Sequence, residues 1–114
     1  MTPDQIHQDP NALRQEFERR LLEMPKIAID TWKDTDLVCV FFGGKEIGHF
    51  HGDTILDLRL SAKIIRQERL PRDVSEQIHP KRSENSRWIC VAFENHAEID
   101  KLLHLVSLAC EEAG

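Results

Sequence analysis

Residues 37–60, LVCVFFGGKEIGHFHGDTILDLRL, contain three predicted strands joined by two tight turns. Residues 37–42 are apolar at every position, which favours a central strand that is covered on both faces. Gly43-Gly44 and Gly52-Asp53 are typical of hairpin turns. In residues 55–60, leucines alternate with charged residues, which is the period of a strand with two different faces. Because short turns join consecutive strands, the stretch predicts an antiparallel meander.

Helices are predicted at both ends of the chain. Asp9 and Pro10 suit the N-cap and the first position of a helix, and its apolar face continues to about Met24, just before a proline. Asn95 and Glu98 have the spacing of a capping box, with asparagine in place of serine or threonine. They open a last helix whose apolar stripe extends to near the C-terminus.

The remaining segments complete an α+β pattern. A short strand is predicted at residues 27–31, and Ser61 can cap a short helix to about residue 68. A weak strand is predicted at residues 74–79 and a strong one at residues 87–93. The expected fold is a mainly antiparallel sheet of about five to six strands, with the two terminal helices and one short crossover helix packed on it.

Composition narrows the class of protein. The chain has 114 residues, of which 40% are hydrophobic and 31% charged, as expected of one soluble globular domain at residues 9–114 after a polar tail at residues 1–8. A formal net charge of −5 argues against nucleic acid as a partner. No apolar run reaches the roughly 20 residues of a membrane helix. Three cysteines in apolar segments, with no CxxC motif, predict buried reduced thiols and a cytoplasmic protein.

The residues best suited to chemistry lie in the middle of the meander. His49 and His51 are two apart on a predicted strand, so both rings leave the same sheet face, while Phe50 points the other way into the core. Asp57 on the next strand reaches the same face if the hairpin register places it opposite, and His79 would complete the set. Histidines with one carboxylate are the ligands of zinc and of other divalent first-row metals, so His49, His51 and His79 are candidate metal ligands.

Several alternatives remain open at this stage. The histidines could instead form a metal-free polar site for a small molecule, with one imidazole as general acid or base, or a solvated surface pair. Asp57 and Arg59 are expected on a charged solvent face, or Arg59 holds an anionic ligand beside the histidines. A protein from another class, a non-catalytic interaction module or a homodimer that pairs through an edge strand, is the competing hypothesis. Whether the chain is an enzyme stays undecided.

Four segments resemble a known family: EIGHFH at residues 46–51, ILDL at 55–58, EQIHP at 76–80 and WICV at 88–91. Together they are similar to the small luciferase-domain family over about residues 36–110. The resemblance implies one shared site, and it adds Glu46 and Trp88 to the candidate ligand-binding residues. The family-like positions are Glu46, His49, His51, Asp57, His79 and Trp88. The chain departs from the pattern in lacking a Gly-Trp pair before His79-Pro80 and in a longer link at residues 81–87.

Overall fold

A five-stranded antiparallel sheet organises the chain, and its strands follow one another in the order β1-β2-β3-β4-β5. The computed structural model describes residues 9–83 and 85–114, so the predicted tail at residues 1–8 lies outside the described residues. The α+β class and the meander are confirmed. The elements are α1 Pro10–Leu22, β1 Ile27–Thr31, β2 Val38–Phe42, β3 Lys45–His51, β4 Ile55–Arg59, α2 Ala62–Gln67, α3 Asp73–Ile78, β5 Trp88–Ala92 and α4 His96–Ala113.

The predicted helix caps are present. The Asp9 carboxylate accepts a hydrogen bond from the backbone N–H of Asn11 at the start of α1, which ends at Leu22, two residues before the predicted end. At the start of α4, the Asn95 side chain accepts from the backbone N–H of Glu98 at 2.9 Å. These side chains satisfy N–H groups that have no partner within the first turn of a helix.

The hydrophobic core lies between one face of the sheet and helices α1 and α4. Phe17 of α1 is fully buried, with its ring 5.9 Å from that of Phe50 in β3 and 5.1 Å from that of Phe93. Burying one such side chain stabilises the fold by roughly 1.5–3 kcal/mol. Since both long helices cover this face, the opposite face of the sheet remains available for polar residues.

The prediction of a strand at residues 74–79 is wrong, because Asp73–Ile78 forms helix α3. The sheet therefore has five strands among the described residues, with two short helices, α2 and α3, instead of one between β4 and β5. The hydroxyl of Ser75 in α3 accepts a hydrogen bond from the backbone N–H of Cys90 at 2.8 Å. Helix α3 thus occupies the outer edge of β5.

A β-bulge in β3 changes which side chains reach the open face of the sheet. Val40 pairs with Gly48 and Phe41 with Glu46, so Ile47 is the extra residue. Ile47 is 1% exposed and belongs to the core. Strict alternation from His49 would place Ile47 beside the histidines and Glu46 in the core; the bulge reverses these two positions.

The three cysteines are free and buried, as predicted. Cys39 and Cys90 lie in β2 and β5, and burial raises the pKa of each thiol to about 11. Within the described residues, none of the helices has the length and hydrophobicity needed to cross a bilayer.

Candidate functional site

Asp57 lies at the centre of a polar cluster on the face of the sheet that α1 and α4 do not cover. We call the following residues the cluster: Glu46, His49, His51, Asp57, His79, Arg82 and Cys90. Its register partners are His49 in β3 and Cys90 in β5. The carboxylate is 0% exposed, so the expectation of a charged solvent face is wrong for this residue. A buried carboxylate is costly unless charged or polar partners surround it. Four side chains approach the Asp57 carboxylate, namely those of Arg82, His49, His51 and His79.

Arg82 is the principal counterion of Asp57. Its Nη1 and Nη2 donate to Oδ1 and Oδ2 at 2.9 and 2.7 Å, a two-pronged geometry that suits guanidinium and carboxylate. Burial alone would raise the pKa of Asp57, but hydrogen bonds from His49 and Arg82, with the charge of Arg82, hold that pKa well below its usual value. Asp57 is therefore a buried anion at neutral pH.

His49 lies between two carboxylates. Its Nε2 is 3.2 Å from Oδ2 of Asp57, and its Nδ1 is 3.0 Å from Oε2 of Glu46, which the bulge has turned toward it. The hydrogen bond to Asp57 raises the pKa of His49, while burial opposes this and the Asp57 charge and Glu46 add to it. Both ring nitrogens of His49 thus contact a carboxylate.

His51 and His79 differ from His49, because each has a buried nitrogen without a hydrogen-bond partner among the described residues. These two atoms are the Nε2 atoms, which lie 3.6 and 3.4 Å from the same Oδ2 of Asp57. The two rings are 5.3 Å apart. Burial, followed by the charge of His49, lowers the pKa of His51. Such unpaired buried groups are uncommon in native proteins and call for an explanation such as a bound ion or ligand.

The unpartnered nitrogens belong to a compact set of four donor residues. One ligand atom each from His51, Asp57, His79 and Cys90 lies within 4.8 Å of the others. The hydrogen bond from the Cys90 backbone to Ser75 holds α3 against β5, and His79 is the C-cap of that helix. Helix α3 therefore brings His79 over the sheet.

Of the other two candidate residues predicted from the sequence, Trp88 lies beside the cluster and Arg59 does not. The Trp88 ring is 5.5 Å from the His49 ring, at the border of the cluster. Arg59 is exposed and lines a separate cavity that contains none of the histidines. The structure therefore places Trp88 beside the cluster and Arg59 elsewhere.

Sequence reasoning missed Arg82 and Cys90 as members of the cluster, and Ser75 as the residue that holds α3 against β5. Its apolar segment predicts Cys90 only as a buried thiol, although Cys90 shares the strand period of Trp88. Arg82 follows His79 by three residues in a polar loop, and no local pattern distinguishes it from its neighbours. Its role depends on the path of that loop back over β4.

The whole cluster lies within a region shared with other proteins. The sequence model of the luciferase domain matches residues 44–109, which is more than half of the chain. This chain belongs to the luciferase-domain family. The resemblance drawn from the sequence is thus confirmed. No curated protein and no solved structure gives a match.

The matched region of the luciferase domain begins in the turn before β3 and ends in α4. It contains every residue of the cluster, from Glu46 to Cys90, whereas α1, β1 and β2 precede it. Helix α1 and the first two strands extend the core and the sheet around the shared part.

Proposed function

We propose that this luciferase-domain protein binds one divalent transition-metal ion, with zinc as the first candidate. The ligands are His51, His79 and Asp57, and Cys90 is the fourth donor. The single observation that carries the proposal is the convergence of two buried, unpartnered imidazole Nε2 atoms on one Asp57 oxygen. Two imidazoles and a carboxylate match the protein ligands of catalytic zinc sites.

The role of Cys90 decides the type of metal site, because four protein ligands are typical of structural zinc and three, with water in the fourth position, of catalytic zinc. The side chains of His51 and His79 are 28% and 33% exposed although their Nε2 atoms are buried, so other atoms of the two side chains reach solvent. With His51, His79 and Asp57 alone as ligands, the fourth position would be left for water or substrate, as in catalytic zinc sites. The metal would supply Lewis-acid chemistry or an activated water there. His49 would then hold Asp57 in place from outside the ligand set, and Glu46 would hold His49.

Cys90 sets a condition on metal binding. Burial and the Asp57 charge raise the pKa of its thiol to about 11, with Arg82 opposing, so the sulfur carries a proton at neutral pH. A metal ion that takes the sulfur as a ligand must displace this proton. The affinity for metal is therefore expected to rise with pH if Cys90 coordinates.

The test is a titration of chelator-treated protein with zinc by calorimetry, and with cobalt by absorption spectroscopy. We expect one metal ion per chain, proton release on binding, and a thiolate-to-cobalt band that Cys90→Ser removes. Cys110→Ser is the matched control, because Cys110 is buried in α4 outside the cluster. If zinc, cobalt, nickel and iron all fail to bind, the proposal is wrong.

Arg82 should oppose the metal, because its guanidinium already occupies the Asp57 oxygen that the metal needs. We predict that Arg82→Gln tightens zinc binding by about tenfold or more, since removing one adjacent like charge is worth at least 1.4 kcal/mol in a partly buried site. The same variant should lower the stability of the metal-free protein, because Asp57 loses its principal counterion. Calorimetry and urea unfolding measure the two effects separately.

Lys81→Gln is the control for the Arg82 prediction. Lys81 is the exposed neighbour in the same loop, so the variant removes one positive charge without touching Asp57. It should leave both zinc affinity and stability nearly unchanged. Weaker zinc binding by Arg82→Gln would show that Arg82 supports the metal site and would contradict this prediction.

A second candidate function, metal-free acid–base catalysis, is favoured by the opposite pKa shifts within the cluster. The pKa of His49 is raised and that of His51 is lowered, although their rings are only 5.0 Å apart. Neighbouring groups whose pKa values separate in this way can act as acid and base in one reaction. A protein that binds none of the metals would favour this function.

A further inference from the structure

A cavity of about 250 Å³ lies apart from the histidine cluster, where the start of β3 and the end of β4 meet the last turn of α4. It shares no lining residue with the cluster. Its floor is apolar and fully buried, formed by Ile47, Leu60 and Ala109. Its volume is below the roughly 300–1,000 Å³ of pockets for drug-sized ligands, so it suits a smaller molecule.

Three cations surround the cavity, although the chain as a whole is acidic. They are Lys45, Arg59 and Arg87, which come from β3, β4 and the segment before β5. The backbone N–H of Leu60 donates to the carbonyl of Arg87 at 2.8 Å, so Arg59 and Arg87 lie at the same end of the β4–β5 ladder. Arg59 is the register partner of Trp88 rather than of Arg87, so the two arginines meet only as lining residues of the cavity.

Neither arginine is neutralised by a carboxylate in the described part of the chain. Its arginine ion pairs involve Arg14, Arg19, Arg20 and Arg82 only. The one carboxylate that lines the cavity, Glu112, accepts a hydrogen bond from the backbone N–H of Ser61 at 2.8 Å. Among the described residues, these two guanidinium groups therefore have no carboxylate partner and could bind an anion.

We infer that this cavity binds a small organic monocarboxylate through Arg59 and Arg87. A planar guanidinium matches a planar carboxylate with two hydrogen bonds, and the floor of Ile47, Leu60 and Ala109 accepts an apolar body. Glu112 disfavours a doubly charged phosphate because its own negative charge faces the same space. The cavity is separate from the proposed metal site and would provide a second place for a ligand.

The experiment is an NMR titration of the isotope-labelled full chain with benzoate as the probe. We expect saturable shifts of the amides of Ile47, Leu60 and Ala109 at millimolar benzoate. Arg59→Gln and Arg87→Gln should each weaken binding by about tenfold, as the loss of one charge-assisted hydrogen bond predicts. Arg66→Gln, an exposed arginine of α2 outside the cavity, is the matched control and should bind like the parent.

Two further probes test the class of ligand. Benzamide has the shape of benzoate without its charge and should not bind, and inorganic phosphate should bind more weakly than benzoate. Equal binding of benzamide, or tighter binding of phosphate, would overturn the assignment of a monocarboxylate. An absence of saturable shifts, or shifts that persist in both arginine variants, would overturn the site itself.

Discussion

Replacing Asp57 with asparagine is expected to lower the free energy of unfolding of the metal-free protein by about 3–5 kcal/mol, the usual cost of removing one partner of a buried ion pair. The carboxylate is 0% exposed and receives both nitrogens of the Arg82 fork, while His49 approaches at 3.2 Å. Asparagine keeps the size of the side chain but leaves this positive charge without its counterion. Urea unfolding in the presence of a chelator measures the loss.

Asp53→Asn is the control for Asp57→Asn. Asp53 lies in the turn before β4, its side chain is 44% exposed, and it is 3.5 Å from Arg14. A surface pair of this kind contributes about 0–1 kcal/mol. If the two variants lose similar stability, the central role given to the buried Asp57 anion is wrong.

The effect of Asp57→Asn should also depend on pH, with a sign fixed by the lowered pKa. The pKa of Asp57 is lower in the folded protein than in the unfolded chain, mainly through His49 and Arg82 acting against burial. Its stabilisation is therefore complete above the unfolded value of about 3.9 and is lost as the pH falls toward the folded value. The difference between parent and variant should shrink in this acidic range.

The second large effect is expected on metal affinity. His51→Ala and His79→Ala should each weaken zinc binding by more than about 100-fold, beyond the roughly 10–100-fold typical of a partner outside the ligand set. His49→Ala should stay within that smaller range, because both of its nitrogens already contact carboxylates. Competition with a chromogenic chelator gives the three affinities.

His104→Ala is the control for these three variants. His104 is exposed in α4 and lies 3.4 Å from Glu68, outside the cluster, so zinc affinity should not change. A larger loss in His49→Ala than in His51→Ala would contradict the ligand set with Cys90. It would instead favour the set predicted from the sequence, which combined His49 with His51 and His79.

The sequence predicted local structure well where polar and apolar residues alternate or where caps are explicit. The alternation in β4, the turns that flank β3 and the caps at Asp9 and Asn95 are all present. Residues 74–79 were assigned wrongly because Val74 and Ile78 fit the spacing of a short helix as well as a weak strand. Asp73 and Glu76 in the first turn favour the helix locally, and the contact of Ser75 with the edge of β5 holds it in place.

The pair His49 and His51 was predictable because residues two apart in a strand share a face. The register that brings Asp57 opposite His49 follows from the short turn between β3 and β4. Glu46 could not be placed in this way, because its orientation depends on the bulge at Ile47. Strict alternation along β3 predicts that the Glu46 side chain points to the core face of the sheet.

The sequence by itself determined the meander, the two terminal helices and the shared face of two histidines, because these depend on contacts between residues close in the chain. Only the tertiary structure decided that Asp57 is buried and that His79, Arg82 and Cys90 converge on it. These three residues approach through a helix, a loop and an edge strand that lie far along the chain from Asp57. Such long-range packing leaves no periodic pattern in the sequence, because the segments that separate the contacting residues have no fixed length or spacing.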